Sequence, residues 1–262
     1  MKKNKIRADE ALVLQKLVEN RSKAQALIMQ GKVFRWDERQ NKNVKVEKAG
    51  QAVQIEDKFE IENPFPLDVG RGALKLRAAF NFWPELKTVT EKALALDIGA
   101  STGGFTQVLL ENGAQRVVAL DVGRNQLHER LKNDPRVLNL EKTHILEVQE
   151  NLWSDNHIQI PFDIIVSDLS FISLKNIIPK AFPWLKKGGR WLLLVKPQFE
   201  LDAKKVPKGV VKKDEDRILA LNKILNVVQE QSEILDYEHQ ECPIAGGEGN
   251  REFLLIIRKK SF

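Results

Sequence analysis

The chemistry open to this sequence lies in acids and lysines set at the ends of apolar runs. The run ALALDIG reaches Asp97 and opens a turn, Asp97-Ile98-Gly99-Ala100-Ser101-Thr102-Gly103-Gly104-Phe105, that feeds a helical pattern. A glycine-rich turn between a strand and a helix N-terminus brings backbone amides against a ligand and commonly seats a cofactor. A dinucleotide fingerprint needs glycine two residues after the first, so that backbone can approach a pyrophosphate. Ser101 stands at that position. An acid heading the turn would also repel phosphate, so Asp97 suits a cationic, phosphate-free ligand. S-adenosylmethionine, with a sulfonium and an ammonium, is such a ligand. The next apolar run ends in Asp121, followed by Val122, and this acid is placed to accept the ribose hydroxyls of an adenosine.

Further charges repeat the pattern. Asp168 ends DIIVSD and Lys196 ends WLLLVK, both at the carboxyl ends of apolar strands, where doubly wound sheets place ligands. Lys75 sits in GRGALKL and Glu252 in GNREF. Singly each has a bland explanation: a helix surface, a loop cap, a snorkelling strand terminus, an edge charge. A lysine directly abutting five apolar residues is harder to dismiss.

These residues need a frame. After residue 73 strands and helices alternate: strands in EKALALDIG, AQRVVALDVG, near 137–140, in PFDIIVSD, in GRWLLLVKPQFE, near 233–238 and near 251–258. Helices are expected over ALKLRAAFNFW (with Leu74, Ala78 and Phe82 on its inner side), GGFTQVLLENG, 125–131, 174–185 and 215–231. A lysine-rich loop, DAKKVPKGVVKKD, precedes the last helix. Such alternation predicts a mostly parallel, doubly wound α/β sheet, with the last strand antiparallel.

Residues 1–62 read differently. A helix starting near Ser22, which could cap it, is expected to bury Ala26, Leu27 and Met29 and to stop at Gly31. Short strands follow in KVFRW, NVKVE and DKFEIE, and Pro64 and Pro66 make residues 63–72 a linker to a domain spanning 73–262. Arg7, Arg21, Ser22, Lys23, Gln30, Lys32 and Arg35 crowd the first helices and their exits. The chain carries 42 Lys+Arg against 36 Asp+Glu, a net charge of +6. Residues 1–63 hold 14 Lys+Arg and 10 Asp+Glu, most of that excess. A compact basic module on a nearly neutral domain fits a reader of phosphate backbone.

The composition excludes other classes. No apolar run approaches the roughly 20 residues of a membrane span, and the basic N-terminus lacks a signal peptide's apolar stretch. One cysteine, Cys242, and four scattered histidines offer neither a disulfide nor a metal site. A cytoplasmic, monomeric, metal-free protein is expected.

Arg21-Ser22-Lys23-Ala24 followed by Ala26-Leu27-Ile28-Met29-Gln30-Gly31-Lys32-Val33 resembles the S4 RNA-binding domain, although Arg7-Ala8-Asp9 replaces the usual Arg-Leu-Asp opening. Lys75, Asp168, Lys196 and Glu252 match the Lys-Asp-Lys-Glu tetrad of FtsJ-type ribose 2′-O-methyltransferases in order and context. With GRGALKL, DIGASTGGFT, ALDVG, SDLSFISL, LLVKPQFE and GNREF behind an S4-like unit, the chain resembles the TlyA family. Two departures are Gly70-Arg71-Gly72 for Ser-Arg-Gly, and Glu141-Lys142-Thr143-His144-Ile145-Leu146 for Glu-Arg-Thr-Asn-Val-Arg. Some members are called haemolysins, but nothing in this sequence resembles a pore.

The resemblance implies a class I, Rossmann-like methyltransferase with a seven-stranded sheet behind a small α+β S4 domain. It implies S-adenosylmethionine as cofactor and ribosomal RNA or ribosomal subunits as partner, with a methyl group passed to a ribose 2′-hydroxyl, at a cytidine. It makes Lys75, Asp168, Lys196 and Glu252 catalytic. Residues 97, 99–105, 121, 122 and 168 would hold cofactor, and Arg71 with the basic residues above would hold RNA. Lys196 would either take the hydroxyl proton or remain a cation that stabilises the developing alkoxide. An RNA-binding assembly factor with an inactive methyltransferase fold is the alternative.

Overall fold

The computed structural model describes residues 5–15, 17–18, 20–29, 31–38, 40–61, 68–149, 151–246 and 249–262. Pro64, Pro66 and Gln30 lie outside the described residues. The chain divides into two compact units, Met1–Leu67 and Asp68–Phe262.

In the first unit β1 (Lys5–Arg7) leads into α1 (Ala8–Leu14) and α2 (Arg21–Met29). These are followed by β2 (Val33–Asp37), β3 (Lys42–Lys45), β4 (Ala52–Gln54) and β5 (Phe59–Ile61). β1 pairs with β4, and β3-β2-β5 form an antiparallel sheet. Two expectations fail here. The helix is capped by Asn20, whose Oδ1 accepts the Lys23 amide at 2.9 Å, not by Ser22, which is exposed. Its inner face is Ala24, Leu27 and Ile28, while Met29 is 86% exposed. The i, i+3, i+4 stripe that meets Leu12 and Val33 is set one residue off the anticipated face. Gly31 ends the helix as expected, at φ +70°.

The second unit begins with α3 (Gly72–Phe82) and α4 (Glu85–Thr90). It then alternates: β6 (Leu94–Ile98), α5 (Gly104–Glu111), β7 (Arg116–Leu120), α6 (Glu129–Lys132), β8 (Val137–Leu140), α7 (Asn151–Asp155), β9 (Phe162–Ser167), α8 (Leu174–Ala181), β10 (Leu185–Val195) and α9 (Pro197–Glu200). α10 (Asp214–Gln229), β11 (Ile234–Glu241) and β12 (Phe253–Lys259) complete it. The seven strands run in the order β11-β12-β10-β9-β6-β7-β8. β12 lies antiparallel to both neighbours and the central strands are parallel, as expected.

Alternating side chains divide the core between the two faces of the sheet. Leu96, Ile98, Val118, Trp191 and Leu193 pack on one side with α8 and α10 residues. Ala95, Val117, Ala119, Leu192 and Leu194 pack on the other with α3 and α5 residues. Here too an expectation fails. α3 turns Ala73, Leu76, Ala79 and Phe80 inward, while Leu74 and Phe82 are 37% and 42% exposed. The inner stripe is the one with small residues. A Cβ on Gly104 would stand 2.7 Å from the Ala73 nitrogen, so α3 and α5 meet almost backbone to backbone. That rotation carries Lys75 inside. The segment PQFE is a short helix instead of strand, because Pro197 sits at its first turn.

Candidate active site

β6, β7, β9 and β10 end side by side, and their terminal residues build the site. The turn after β6 is specified by steric facts. Gly99 has φ +85°, and a Cβ there would lie 2.8 Å from the Asp168 carbonyl oxygen, so the β6 and β9 ends can touch only through glycine. Ser101, in the place of a dinucleotide-type glycine, also adopts a left-handed conformation, φ 47°. Its amide donates to Asp121 Oδ2 at 2.7 Å, and the Gly123 amide donates to Asp121 Oδ1 at 2.6 Å. Asp121 thereby fixes the turn and still lines the cavity in front of it.

That cavity has a volume of about 500 Å³. Gly99, Ser101, Asp121, Val122, His144, Asp168 and Phe171 are among its lining residues, and among the described residues no lysine or arginine lines it. A second cavity of about 260 Å³ shares Gly99, Ser101, Asp168 and Ser170 with it. Arg71, Ala100, Thr102, Gly104, Phe105 and Lys196 line this smaller one. One space is therefore acidic and partly apolar; its neighbour is basic.

Asp97 is not in either wall. It is fully buried behind the turn, with Oδ2 accepting the Thr106 hydroxyl at 2.6 Å and Oδ1 without a hydrogen-bond partner. Burial pushes its carboxyl up to about 7; Thr106 opposes the rise, and Asp168 and Asp121 add to it. Direct contact between Asp97 and a cofactor cation, expected from the sequence, is not what this geometry offers. Gly103 is also behind the wall; its φ of +94° lets the chain enter α5, and a Cβ would collide with Leu131.

A pH dependence follows from Asp97. The folded state holds its proton up to about pH 7, whereas the unfolded chain releases it near the ordinary aspartate value of 3.8. The native state thus binds more protons between those limits, and stability falls as pH rises through the window, by up to roughly 4 kcal/mol. Asp97→Asn should flatten that fall. Urea unfolding of both proteins from pH 4.5 to 8 measures it, and an unchanged slope in the variant would assign the effect to other groups.

The four tetrad positions form two ion pairs. Lys196 Nζ lies 2.6 Å from Asp168 Oδ1 and donates a hydrogen bond to Ser170 Oγ at 3.0 Å. The approach to Asp168 is not aligned as a hydrogen bond, so Ser170 holds the ammonium's direction. Both partners of this pair face the cavities. Lys75 Nζ donates to Glu252 Oε2 at 2.7 Å, and this pair is buried behind the walls. Burial raises the pKa of the Cys242 thiol, and the charges of Lys75, Glu252 and Asp168 act on it as well. Arg71 also belongs to this rim, donating to the Ala245 carbonyl at 2.7 Å.

Sequence reasoning left Ser170 unassigned, although it stands two residues beyond the strand-end Asp168. Phe171 is another residue that no sequence pattern singles out: it is 92% exposed, has φ 64°, and packs against Phe199 with ring centroids 5.1 Å apart and the planes tilted by 50°. His144, at one of the family departures, lines the larger cavity, and its Nδ1 accepts the Leu146 amide at 3.3 Å.

A model of the FtsJ-like methyltransferase family matches residues 69–259. The chain belongs to the FtsJ-like methyltransferase family. Hemolysin A of Brachyspira hyodysenteriae is 38% identical over 254 residues, covering 95% of this chain and 98% of that protein. The 16S/23S rRNA (cytidine-2′-O)-methyltransferase TlyA of Mycobacterium tuberculosis is 37% identical over 196 residues, 74% of this chain and 69% of that one. A solved structure of a candidate hemolysin from Streptococcus thermophilus superposes with a TM-score of 0.66 at 31% identity, over 98% of this chain and 90% of the other. In the FtsJ-like unit, both cavities and both ion pairs lie within the matched residues. Among the described residues no helix is long and apolar enough to cross a membrane, and no cluster of His, Cys, Asp and Glu could hold a metal ion.

The first unit's basic residues are partly committed. Arg7 and Arg21 reach the buried Asp9 at 2.9 and 3.3 Å, and Arg7 holds that carboxyl well below the usual range. Arg35 pairs with Asp57 at 3.1 Å. Ser22 is exposed, and Lys23 and Lys32 are half-buried.

Proposed function

We propose that this protein transfers a methyl group from S-adenosylmethionine to a ribose 2′-hydroxyl of ribosomal RNA, in the cytoplasm. The observation that carries the reading is the Lys196–Asp168 pair, 2.6 Å apart, at the junction of an acidic cavity and a basic one. The cavities fit the cofactor's charge pattern. An adenosine suits the larger one, with Val122 as an apolar wall and Asp121 as acceptor for ribose hydroxyls. Among the described residues no lysine or arginine lines it, which disfavours a pyrophosphate, and the carboxylates favour a cation. The smaller cavity suits the amino-acid end, whose carboxylate would find Arg71 and the amides opening α5. The orphaned Asp97 Oδ1 behind the turn is a polar atom such a ligand's field would reach.

The bound cofactor supplies an electrophilic methyl group. Everything else falls to the chain. Lys196 meets the acceptor hydroxyl where the two cavities join, with Ser170 and Asp168 fixing its ammonium. It either takes the hydroxyl proton or stabilises charge growing on that oxygen. Lys75 and Glu252 act from behind as a rigid, charge-balanced support. Aligning hydroxyl and methyl in line is the largest contribution such a site can make.

The relatives named rRNA (cytidine-2′-O)-methyltransferases support ribosomal RNA, and a cytidine, as acceptor. The purified protein, given tritiated S-adenosylmethionine and ribosomal subunits, should label RNA at a 2′-oxygen. Unlabelled RNA in an assay where the cofactor demonstrably binds would overturn the assignment and leave the RNA-binding, inactive reading.

The first unit supports an S4-like role in RNA affinity. Its test must respect the ion pairs. Removing Arg21 would strip a partner from buried Asp9, so Lys32 is the better probe. Lys32→Gln should flatten the log–log salt dependence of RNA binding by about 0.7–0.9 for the phosphate that its side chain no longer neutralises. Equal slopes in parent and variant would turn that lysine away from RNA.

A further inference from the structure

The loop between Lys196 and α10 takes no part in binding cofactor or moving a proton, yet it is built as part of the site's rim. Residues 202–213 contain five lysines and one acid. Lys204, Lys205, Lys208, Lys212 and Lys213 are all exposed. The ordinary explanation is a solvated surface loop, which would be loosely held and locally neutralised. This one is neither.

It is pinned by Asn250, which is 3% exposed. Asn250 Oδ1 accepts the Val211 amide at 3.0 Å, and its Nδ2 donates to the Gly209 carbonyl at 2.8 Å. Those two bonds clamp the turn in which Lys208 takes φ 55°, a left-handed conformation that a lysine rarely adopts. The carbonyl of the same asparagine accepts the Gly246 amide at 2.7 Å. Gly246 presses on Glu252, since a Cβ there would lie 2.2 Å from Glu252 Oε1. Arg71 in turn donates to the Ala245 carbonyl. One buried amide therefore ties the lysine loop to the loop that covers Glu252. At its other end the loop leaves α9, whose Phe199 ring lies 5.9 Å from Lys196 Nζ.

Nor is the charge neutralised. Lys205 pairs with Asp216, but Lys204, Lys208, Lys212 and Lys213 make no side-chain ion pair or hydrogen bond among the described residues. Of the three acids that follow, Asp214 is held by Arg217 and Arg251 and Asp216 by Lys205, which leaves Glu215 alone against four unpaired lysines. Lys213 is also the N-cap residue of α10 without a capping side-chain bond, where the positive end of the helix dipole makes an ammonium unfavourable for stability. Cations left unpaired and held by a buried tether match a polyanion.

We propose that residues 202–213 form a strap, positioned by Asn250, whose lysines grip the phosphodiester backbone flanking the acceptor nucleotide and hold it beside Lys196. The proposal rests on the RNA-methylation reading and adds to it the surface of the catalytic unit that holds the strand. Asn250 is here a positioning residue and the four free lysines are phosphate contacts.

The test uses the full-length protein, a ribosomal-RNA fragment that the parent methylates, and three variants. Lys204→Gln/Lys208→Gln/Lys212→Gln/Lys213→Gln removes the free charges. Lys87→Gln/Lys92→Gln/Lys187→Gln removes lysines toward the opposite, amino-terminal ends of the strands. Asn250→Ala keeps every lysine and releases the tether. For each phosphate that the strap variant no longer neutralises, the salt slope of RNA binding should fall by about 0.7 and the affinity at 0.15 M salt by about fourfold. Its affinity for S-adenosylmethionine should be unchanged. Asn250→Ala should raise KM for RNA with the cofactor affinity kept. A slope equal to the parent's in the strap variant, or an equal drop in the amino-end control, would overturn the strap while leaving the methylation reading intact. A parent that methylates no RNA would overturn that reading itself.

Discussion

Lys196→Ala is expected to bind S-adenosylmethionine and RNA much as the parent does and to lose about 10²–10⁴-fold in turnover. The geometry separates binding from rate. Lys196 ends β10, with its stem among buried strand residues and its ammonium held between Asp168 and Ser170. Removing it leaves the larger cavity's wall untouched, because Lys196 lines only the smaller one. Lys196→Arg should not rescue the rate. A guanidinium is wider, planar and permanently charged, whereas the space between Asp168 and Ser170 admits a compact head. A merely structural lysine would behave in the opposite way, with arginine restoring function and alanine lowering stability. Single-turnover methyl transfer by Lys196→Arg at saturating RNA and cofactor decides between the two roles. A near-parental rate in Lys196→Arg, beside a slow and stably folded Lys196→Ala, would remove proton abstraction and leave charge stabilisation as the role of Lys196.

Glu252→Ala should lose about 3–5 kcal/mol of stability, the cost of leaving a buried cation without its partner. Lys75 and Glu252 side chains are 8% and 1% exposed and 2.7 Å apart, so neither has water to fall back on. The pair is not thereby worth that much to the fold. Replacing both charges, as Lys75→Met/Glu252→Leu, should recover most of the stability while methyl transfer stays abolished. Denaturant unfolding and activity read on the same proteins separate the two effects. A stable, active double variant would show that the pair supports nothing in the reaction.

The order of strands and helices was legible in the sequence, because buried parallel strands are continuous apolar runs and the turns between them are marked by glycine. The acids and lysines at the ends of those runs were legible for the same reason. Chain topology alone brings Asp97, Asp121, Asp168 and Lys196 to one edge of the sheet. Ser101 already argued against a dinucleotide, and it does occupy the left-handed turn position.

What the sequence could not decide is which way each side chain faces once the layers pack. α3 carries two apolar stripes, and only its close approach to Gly104 selects the one that buries Lys75. Asp97 reads as a ligand contact from its place at the strand end, yet alternation along β6 turns it into the core beneath the turn, toward Thr106. α2 buries a stripe one residue off the expected one, because the start set by Asn20 and the contact with Leu12 fix its rotation. The tetrad is four separate letters in the chain and two ion pairs in the molecule, one facing the cavities and one behind them. Strand order follows from local hydrophobic pattern. Pairing, burial and the division of labour between the two lysines follow from long-range packing, which only the tertiary structure decides.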